Sequence, residues 1–265
     1  MMGGMTTPSA RVAVLIDADN TSPKHASALL DELAKYGVAT VKRAYGDWTT
    51  TQLGGWKTEL NKHAIAPVQQ FSYTTGKNST DSALIIDAMD LLYSGNLDAF
   101  AIVSSDSDFT RLATRIRESG KTVYGLGLRK TPASLVAACD KFIYLEVLGD
   151  DADEPSSSEN PPLPDLQKLL TRAVNSTSQD DGWAHLGAIG NYLSSAVTSF
   201  DPRNYGFPKL IALAEAQPYL EVDNPGSGSA RVRLKATGRR SRKTTAKKAQ
   251  PAKKVAVKKA QPAKA

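Results

Sequence analysis

The stretch AFAIVSSDSDF, Ala99 to Phe109, passes from an unbroken apolar run into a small polar turn that carries Asp106 and Asp108. RVAVLIDADN, Arg11 to Asn20, repeats the pattern: the run VAVLI delivers Asp17, then Asp19 and Asn20. Short apolar runs without polar alternation suit strands buried on both faces, as in a parallel sheet. Working outward from Arg11–Ile16 and Ala99–Val103, further strands are predicted at Ala39–Ala44, Ala66–Phe71, Thr122–Leu126 and Phe142–Val147. Amphipathic stretches lie between them, at Pro23–Tyr36, Thr50–His63, Thr80–Tyr93, Phe109–Ser119 and Ala133–Cys139. In the first of these Ala26, Leu29, Leu30, Leu33 and Ala34 recur at helical spacing, and Gly37 closes the helix. Residues 10–148 therefore predict an α/β domain, a parallel sheet with helices on both faces.

Such sheets gather function beyond the carboxyl ends of their strands, where strand order reverses. Asp17 and Asp106 follow two strands, and Asp81 falls in the first turn of the helix after the third. Three elements thus direct carboxylates at one crevice. Clustered carboxylates repel one another and lose hydration, so they need a counter-charge. A hard divalent cation supplies it, because Mg²⁺ takes one or two carboxylates and keeps room for a phosphate. A cation held that way polarises a phosphoryl oxygen and acidifies a bound water. Each acid also has a structural reading, since an Asp after a strand commonly caps the next helix or turn. Asp108 reads as a cap for the helix at Phe109, and Asp19 as a solvated loop acid. Asp87 follows Asp81 by six positions, roughly 240° around a helix, so the two cannot share a face. Residue chemistry alone leaves a nuclease and a phosphatase open.

The remaining chain divides into three. Residues 149–164, GDDADEPSSSENPPLP, are acidic, Ser- and Pro-rich and without periodicity, which predicts a linker. In residues 165–235, three helix faces are marked by Leu166, Leu169, Leu170 and Val174, by Leu186, Ile189 and Leu193, and by Leu210, Ile211, Leu213 and Ala214. Strand-like pieces Tyr219–Val222 and Ala230–Leu234 follow, joined by PGSGS, and the whole predicts a small winged helix. Residues 236–265 are rich in Lys, Ala and Pro and repeat KKAQPAK at Lys247–Lys253 and Lys258–Lys264; such a tail cannot bury a core and is predicted to be disordered.

The net charge of +6 over 265 residues is unevenly placed. Lys235 to Ala265 holds 12 of the 33 Lys and Arg and no acid, which leaves 21 basic against 27 acidic residues elsewhere, a net −6. A cationic tail on an acidic body gives salt-sensitive, largely sequence-independent affinity for RNA or DNA. One cysteine, Cys139, excludes an internal disulfide or a Cys-based zinc site, and it reads as packing. His25, His63 and His185 have no ligand spacing, and no serine elbow is present. Gly125-Leu126-Gly127 lacks the rest of a dinucleotide fingerprint. The chain's start lacks the basic and apolar blocks of a signal peptide, and no run reaches the ~20 apolar residues of a membrane span. The expectation is a cytoplasmic protein without membrane contact, with nucleoid association left open.

Three motifs carry a resemblance. IDADN at Ile16–Asn20 resembles the opening D-x-x-N of NYN domains, which are PIN-like ribonucleases. KNSTDSALIIDAMDLL at Lys77–Leu92 is similar to the family's K-x-x-x-D-x-x-L-x-x-D helix, and SSDSDFTRL at Ser104–Leu112 to its S-G-D-S-D-F motif. Ser105 stands where the family commonly has Gly, which puts the tight turn in question. The resemblance implies a PIN-like Rossmannoid sheet, Mg²⁺ or Mn²⁺ as cofactor, and RNA as substrate. It implies Asp17, Asp81, Asp106 and Asp108 as catalytic, metal-binding acids, with Asn20 supporting them; Asp87 and Ser104 join as supporting residues. Lys77 is a candidate phosphate contact as well as an ordinary loop lysine.

Residues 165–235 resemble OST-HTH/LOTUS modules through Trp183–Leu193, read as the second helix, FDPRNYGFPKL at Phe200–Leu210, and EV…RVRLK at Glu221–Lys235. The resemblance implies RNA binding, with Arg203 and Lys209 presented at the start of the third helix, where a helix N-terminus also favours phosphate. Lys42, Arg43, Arg129 and Lys130 read as approach residues or solvated surface, and Tyr45, Trp48 and Trp56 as base-stacking groups or core. Three functions fit: an endoribonuclease, an RNA-binding regulator without turnover, and a nucleoid-associated DNA-binding protein. Motif completeness and the metal logic favour the first. The oligomeric state is left open, a homodimer included.

Overall fold

The computed structural model describes residues 9–71, 79–148, 162–224 and 229–235; Lys77 and the tail beyond Lys235 lie outside them. Six parallel strands form the first sheet: β1 (Arg11–Asp17), β2 (Val38–Gly46), β3 (Ala66–Gln69), β4 (Ala99–Val103), β5 (Thr122–Gly127) and β6 (Lys141–Tyr144). Their order is β3-β2-β1-β4-β5-β6, so the chain reverses direction across the sheet between β1 and β4. The connecting helices are α1 (Ala26–Leu33), α2 (Trp56–His63), α3 (Ser79–Tyr93), α4 (Thr110–Glu118) and α5 (Ala133–Ala138).

The alternation of side chains along a strand explains why β1 reads as one apolar run. Val12, Val14 and Ile16 face a core with Leu29 and Leu33 of α1 and Trp56 and Leu60 of α2. Ala13 and Leu15 face the opposite core, with Leu84 and Ala88 of α3 and Leu112 and Ile116 of α4. Two edge strands end earlier than their apolar pattern predicts. β3 stops at Gln69, whose partner Gly46 is the last residue of β2. β6 stops at Tyr144, paired with the last residue of β5, and Leu145–Val147 turn into a 3-10 segment. With no neighbour to bond, an extended backbone has nothing to hold it.

The second module contains α6 (Leu166–Thr177), α7 (Leu186–Ala196) and α8 (Leu210–Glu215), with an antiparallel sheet of β7 (Ala184–His185), β8 (Leu220–Asp223) and β9 (Arg231–Leu234) in the order β7-β9-β8. Leu170, Val174, Ile189, Leu193, Leu213 and Val232 fill its core. The expected single helix over Trp183–Leu193 is corrected: Ala184 and His185 pair with Val232 and Arg231. Two residues carry no periodicity of their own, so the strand exists only through its partner. Gly206, at φ +81°, ends the 3-10 turn Pro202–Tyr205, a conformation that disfavours any side chain.

The two modules touch directly, and both fall within one compact unit that ends at Leu234. The Phe142 amide on the free edge of β6 donates to the Thr198 carbonyl at 2.9 Å, and Thr198 Oγ1 donates to the Val136 carbonyl at 2.9 Å. Beside them the Arg203 guanidinium grips Glu32 of α1, Nη1 to Oε2 at 2.9 Å and Nη2 to Oε1 at 3.0 Å. The second module thereby blunts a sheet edge that would otherwise present unpaired backbone groups. Among the described residues no helix is long and apolar enough to cross a membrane.

Candidate metal centre

Asp17 is the last residue of β1 and has no solvent exposure. Ser104 Oγ donates to its Oδ2 at 2.8 Å and Asn20 Nδ2 to the same oxygen at 2.9 Å, while the Asn20 amide reaches Oδ1 at 3.3 Å. Burial raises the Asp17 pKa, and the bonds from Asn20 and Ser104 only partly offset it. Ser104 also accepts from the Asp106 amide at 3.1 Å, so one buried hydroxyl links the ends of β1 and β4 across the switch point.

Beyond this link stand Asp81, in the first turn of α3, and Asp106 and Asp108 in the turn after β4. One carboxylate oxygen from each lies within 4.8 Å of the others. Asp81 is nearly buried, and its pKa is raised to about 6, first by desolvation and then by the charges of Asp17, Asp106, Asp108 and Asp19. The grouping differs from the predicted four: among the described residues it holds three acids, and Asp17 sits on the Ser104 and Asn20 bonds rather than in the trio. The helix cap also moves, since Asp106 Oδ1 accepts from the Asp108 amide at 2.9 Å where Asp108 was the expected cap.

Acids at the opposite end of the sheet do different work. Asp98 accepts from the Arg11 amide and Asp140 from the Val123 amide, both at 2.8 Å, fastening the amino ends of strands. Among the described residues, the acids that come together are Asp81, Asp106 and Asp108 beyond the carboxyl ends.

The glycine and serine details of the β4–β5 corner have local causes. Ser105 needs no left-handed backbone, and its Oγ accepts from the Leu128 amide at 2.8 Å, tying the acid-bearing turn to the end of β5. A Cβ on Gly127 would stand 2.6 Å from the Ser104 carbonyl oxygen and one on Gly125 2.4 Å from the Phe142 ring, so the glycines of the Gly125-Leu126-Gly127 run reflect close packing.

Other candidates are redistributed. Arg203 is corrected: Asp201 and Glu32 engage its guanidinium through four hydrogen bonds, which removes it from open phosphate contact. Lys209 is exposed at the start of α8, a helix of six residues. Tyr45 and Trp56 belong to the core at 0% and 1% exposure and are not stacking platforms. Trp48, half-buried, donates its Nε1–H to the Val68 carbonyl at 3.0 Å. Lys42 binds the His63 carbonyl, so it is not an approach residue. Cys139 is buried, and burial pushes its thiol up to about 12. Asp87 accepts from both Arg43 and Tyr45.

Three features escaped the reading of the sequence. Thr80 Oγ1 donates to Asp19 Oδ2 at 2.8 Å, which draws that loop acid to the start of α3. The guanidinium carbons of Arg231 and Arg233 lie 5.4 and 4.5 Å from the Trp183 ring centre. Period-two spacing of Arg231 and Arg233 on β9 was the available signal for that pair. Glu32, a buried acid on α1, carried no signal beyond its place on the apolar face beside Leu33.

The structure defines a parallel α/β domain with an acidic cluster at its switch point, followed by a winged-helix module. The NYN domain matches residues 11–146, just over half the chain, and the OST-HTH/LOTUS domain matches residues 161–232. The chain belongs to the NYN domain family, a PIN-like nuclease family whose members generally depend on divalent metal, and it carries an OST-HTH/LOTUS domain, a class associated with RNA binding. An uncharacterized protein of Methanocaldococcus jannaschii is 27% identical over 121 residues, 44% of this chain and 47% of that protein, so the chain spans about half its length. A Vibrio parahaemolyticus protein of unknown function is similar at 17% identity and a TM-score of 0.47, over 56% of this chain and 98% of that one. Residues 175–257 of a Chromobacterium violaceum protein are 31% identical, with a TM-score of 0.25, over 31% of this chain and 94% of that fragment.

Proposed function

We propose that the chain is a Mg²⁺- or Mn²⁺-dependent endoribonuclease, in which residues 10–148 hydrolyse RNA held by the module at 165–235 and the basic tail at 236–265. The observation that carries the reading is the meeting of Asp81, Asp106 and Asp108 within 4.8 Å at the reversal of strand order. Their chemistry fits a hard cation: the ligand atoms are carboxylate oxygens, and the Asp81 pKa is raised first by desolvation and then by neighbouring negative charge, which a cation would neutralise. When bound, such a cation supplies Lewis-acid activation of a phosphodiester and of an attacking water.

The chain's own residues build the setting. Asp81, Asp106 and Asp108 would hold the cation, and Asp17 adds negative charge that Asp81 feels. Ser104 and Asn20 fix the Asp17 carboxylate and the backbone leading to Asp106. The bond from the Asp108 amide to Asp106 Oδ1 restrains the Asp106 carboxylate. Lys209, and Lys77 beyond the described residues, are proposed phosphate contacts, and RNA rather than DNA is favoured because the OST-HTH/LOTUS class is associated with RNA.

The test is incubation of end-labelled single-stranded RNA with the full chain in Mg²⁺ or Mn²⁺, with an EDTA control. Internal cutting that stops on chelation is the expected result. Retention of RNA without cutting, across several sequences and both metals, would replace this reading with that of an RNA-binding regulator.

A further inference from the structure

We infer that Arg43 and Tyr45 are positioning residues for the proposed metal centre: by gripping Asp87 they set where α3 holds Asp81 relative to Asp17. The inference rests on the metal-centre reading above and concerns residues that touch neither the cation nor RNA. Asp87 follows Asp81 by six residues on α3, a rise of about 9 Å along the axis and a turn onto another face. There each carboxylate oxygen receives one donor from β2: the Arg43 guanidinium on Oδ1 and the Tyr45 hydroxyl on Oδ2.

Tyr45 makes the connection to the metal centre explicit. It lies opposite Asp17 in the β1–β2 register, and its carbonyl accepts from the Ala18 amide at 2.9 Å. Its backbone therefore holds the strand end that carries Asp17, while its side chain holds the helix that carries Asp81. Thr80 Oγ1 also donates to Asp19 at the start of α3, and Arg115 donates to the Tyr93 hydroxyl at its far end; between these points the helix packs through apolar residues, Leu84, Ala88 and Leu92. Apolar contact is non-directional and resists small slides of a helix weakly, whereas two hydrogen bonds to one carboxylate fix both height and rotation. Mg²⁺ demands near-ideal octahedral geometry, so a small slide of Asp81 matters there more than in the core. A phenylalanine would fill the Tyr45 site equally well, since the ring is fully buried. The hydroxyl and the two charged groups serve orientation, because partly exposed charge pairs are weak sources of stability.

The experiment is a calorimetric titration of the full chain with Mn²⁺ alone, well below the melting temperature. It compares Tyr45→Phe, Asp87→Asn and a control, Leu92→Ala, which weakens the far end of α3 without touching the brace. Tyr45→Phe and Asp87→Asn should weaken Mn²⁺ binding about tenfold, the lower end of what outer-shell partners contribute. Leu92→Ala should lower the melting temperature and leave Mn²⁺ affinity within twofold of wild type. If Asp87→Asn does not fold, Tyr45→Phe decides the matter, since it keeps the ring and removes one bond. Wild-type affinity in Tyr45→Phe, or an equal loss in Leu92→Ala, would overturn the inference. A wild-type chain that binds no Mn²⁺ would remove the metal-centre reading and this inference with it.

Discussion

Asp81→Asn should make the metal-free protein more stable and cut RNA cleavage by about 10²–10³-fold, the scale of losing one preorganised electrostatic group from an active site. The two effects share a cause. Asp81 is nearly buried among Asp17, Asp106, Asp108 and Asp19, and without a cation its ionisation is opposed up to about pH 6. A carboxyl whose folded pKa lies above its unfolded value destabilises the fold once it ionises. Stability thus falls as pH rises from about 4 to about 6 and stays lower above that window. Asparagine has no charge to expel, so the variant should gain on the order of 1–3 kcal/mol at pH 7 and nothing near pH 4. Melting curves in EDTA at the two pH values check this, at about 2–4 °C per kcal/mol for a chain of this size. A destabilised variant at pH 7 would mean that Asp81 serves the fold and not a cation.

Arg203→Met should cost about 3 kcal/mol and uncouple the unfolding of the two modules. Glu32 is 4% exposed and accepts from Arg203, Lys35 and Tyr36. Burial by itself would raise its pKa, but the bonds from Arg203 and Lys35 prevail and hold it at about 2. Removing Arg203 leaves a buried carboxylate with reduced compensation, which is where ion-pair losses are largest. Because the folded pKa lies below the unfolded one, this contribution is present above about pH 4.5 and fades as pH falls toward 2. Calorimetry should show one transition in the wild type and two in the variant, with the difference shrinking in acid. In a double-mutant cycle with Glu32→Gln, a coupling below about 0.5 kcal/mol would mean that the contact does not join the modules.

The two predictions differ in how far the sequence announces them. The strands were legible because a strand buried on both faces writes itself as a contiguous run, as in VAVLI and AFAIV. The position of Asp17 and Asp106 at neighbouring strand ends was legible for a related reason: in a parallel sheet the residue after the run lies at the crevice. The meeting of Asp81 with Asp106 and Asp108 needed the three-dimensional placement of α3, which the helical spacing of Leu84 and Ala88 implied but did not orient. Pairings between distant polar residues left no trace. Arg203 and Glu32 are 171 positions apart and Tyr45 and Asp87 are 42 apart, and nothing local distinguishes an exposed arginine from one clamped on a buried acid. Arg203 was therefore expected to face phosphate when its guanidinium is committed within the protein. β7 was hidden likewise, because two residues become a strand only through β9.

The central claim is that Asp81, Asp106 and Asp108 hold one divalent cation, and the most direct test is a crystal of the full chain soaked in Mn²⁺. Anomalous difference density should show a peak among these three carboxylates, roughly 2.1 Å from their oxygens, the distance expected for hard octahedral cations. Its loss in Asp81→Asn would complete the result. An absent peak, or one bound elsewhere while the protein cuts RNA, would contradict the account.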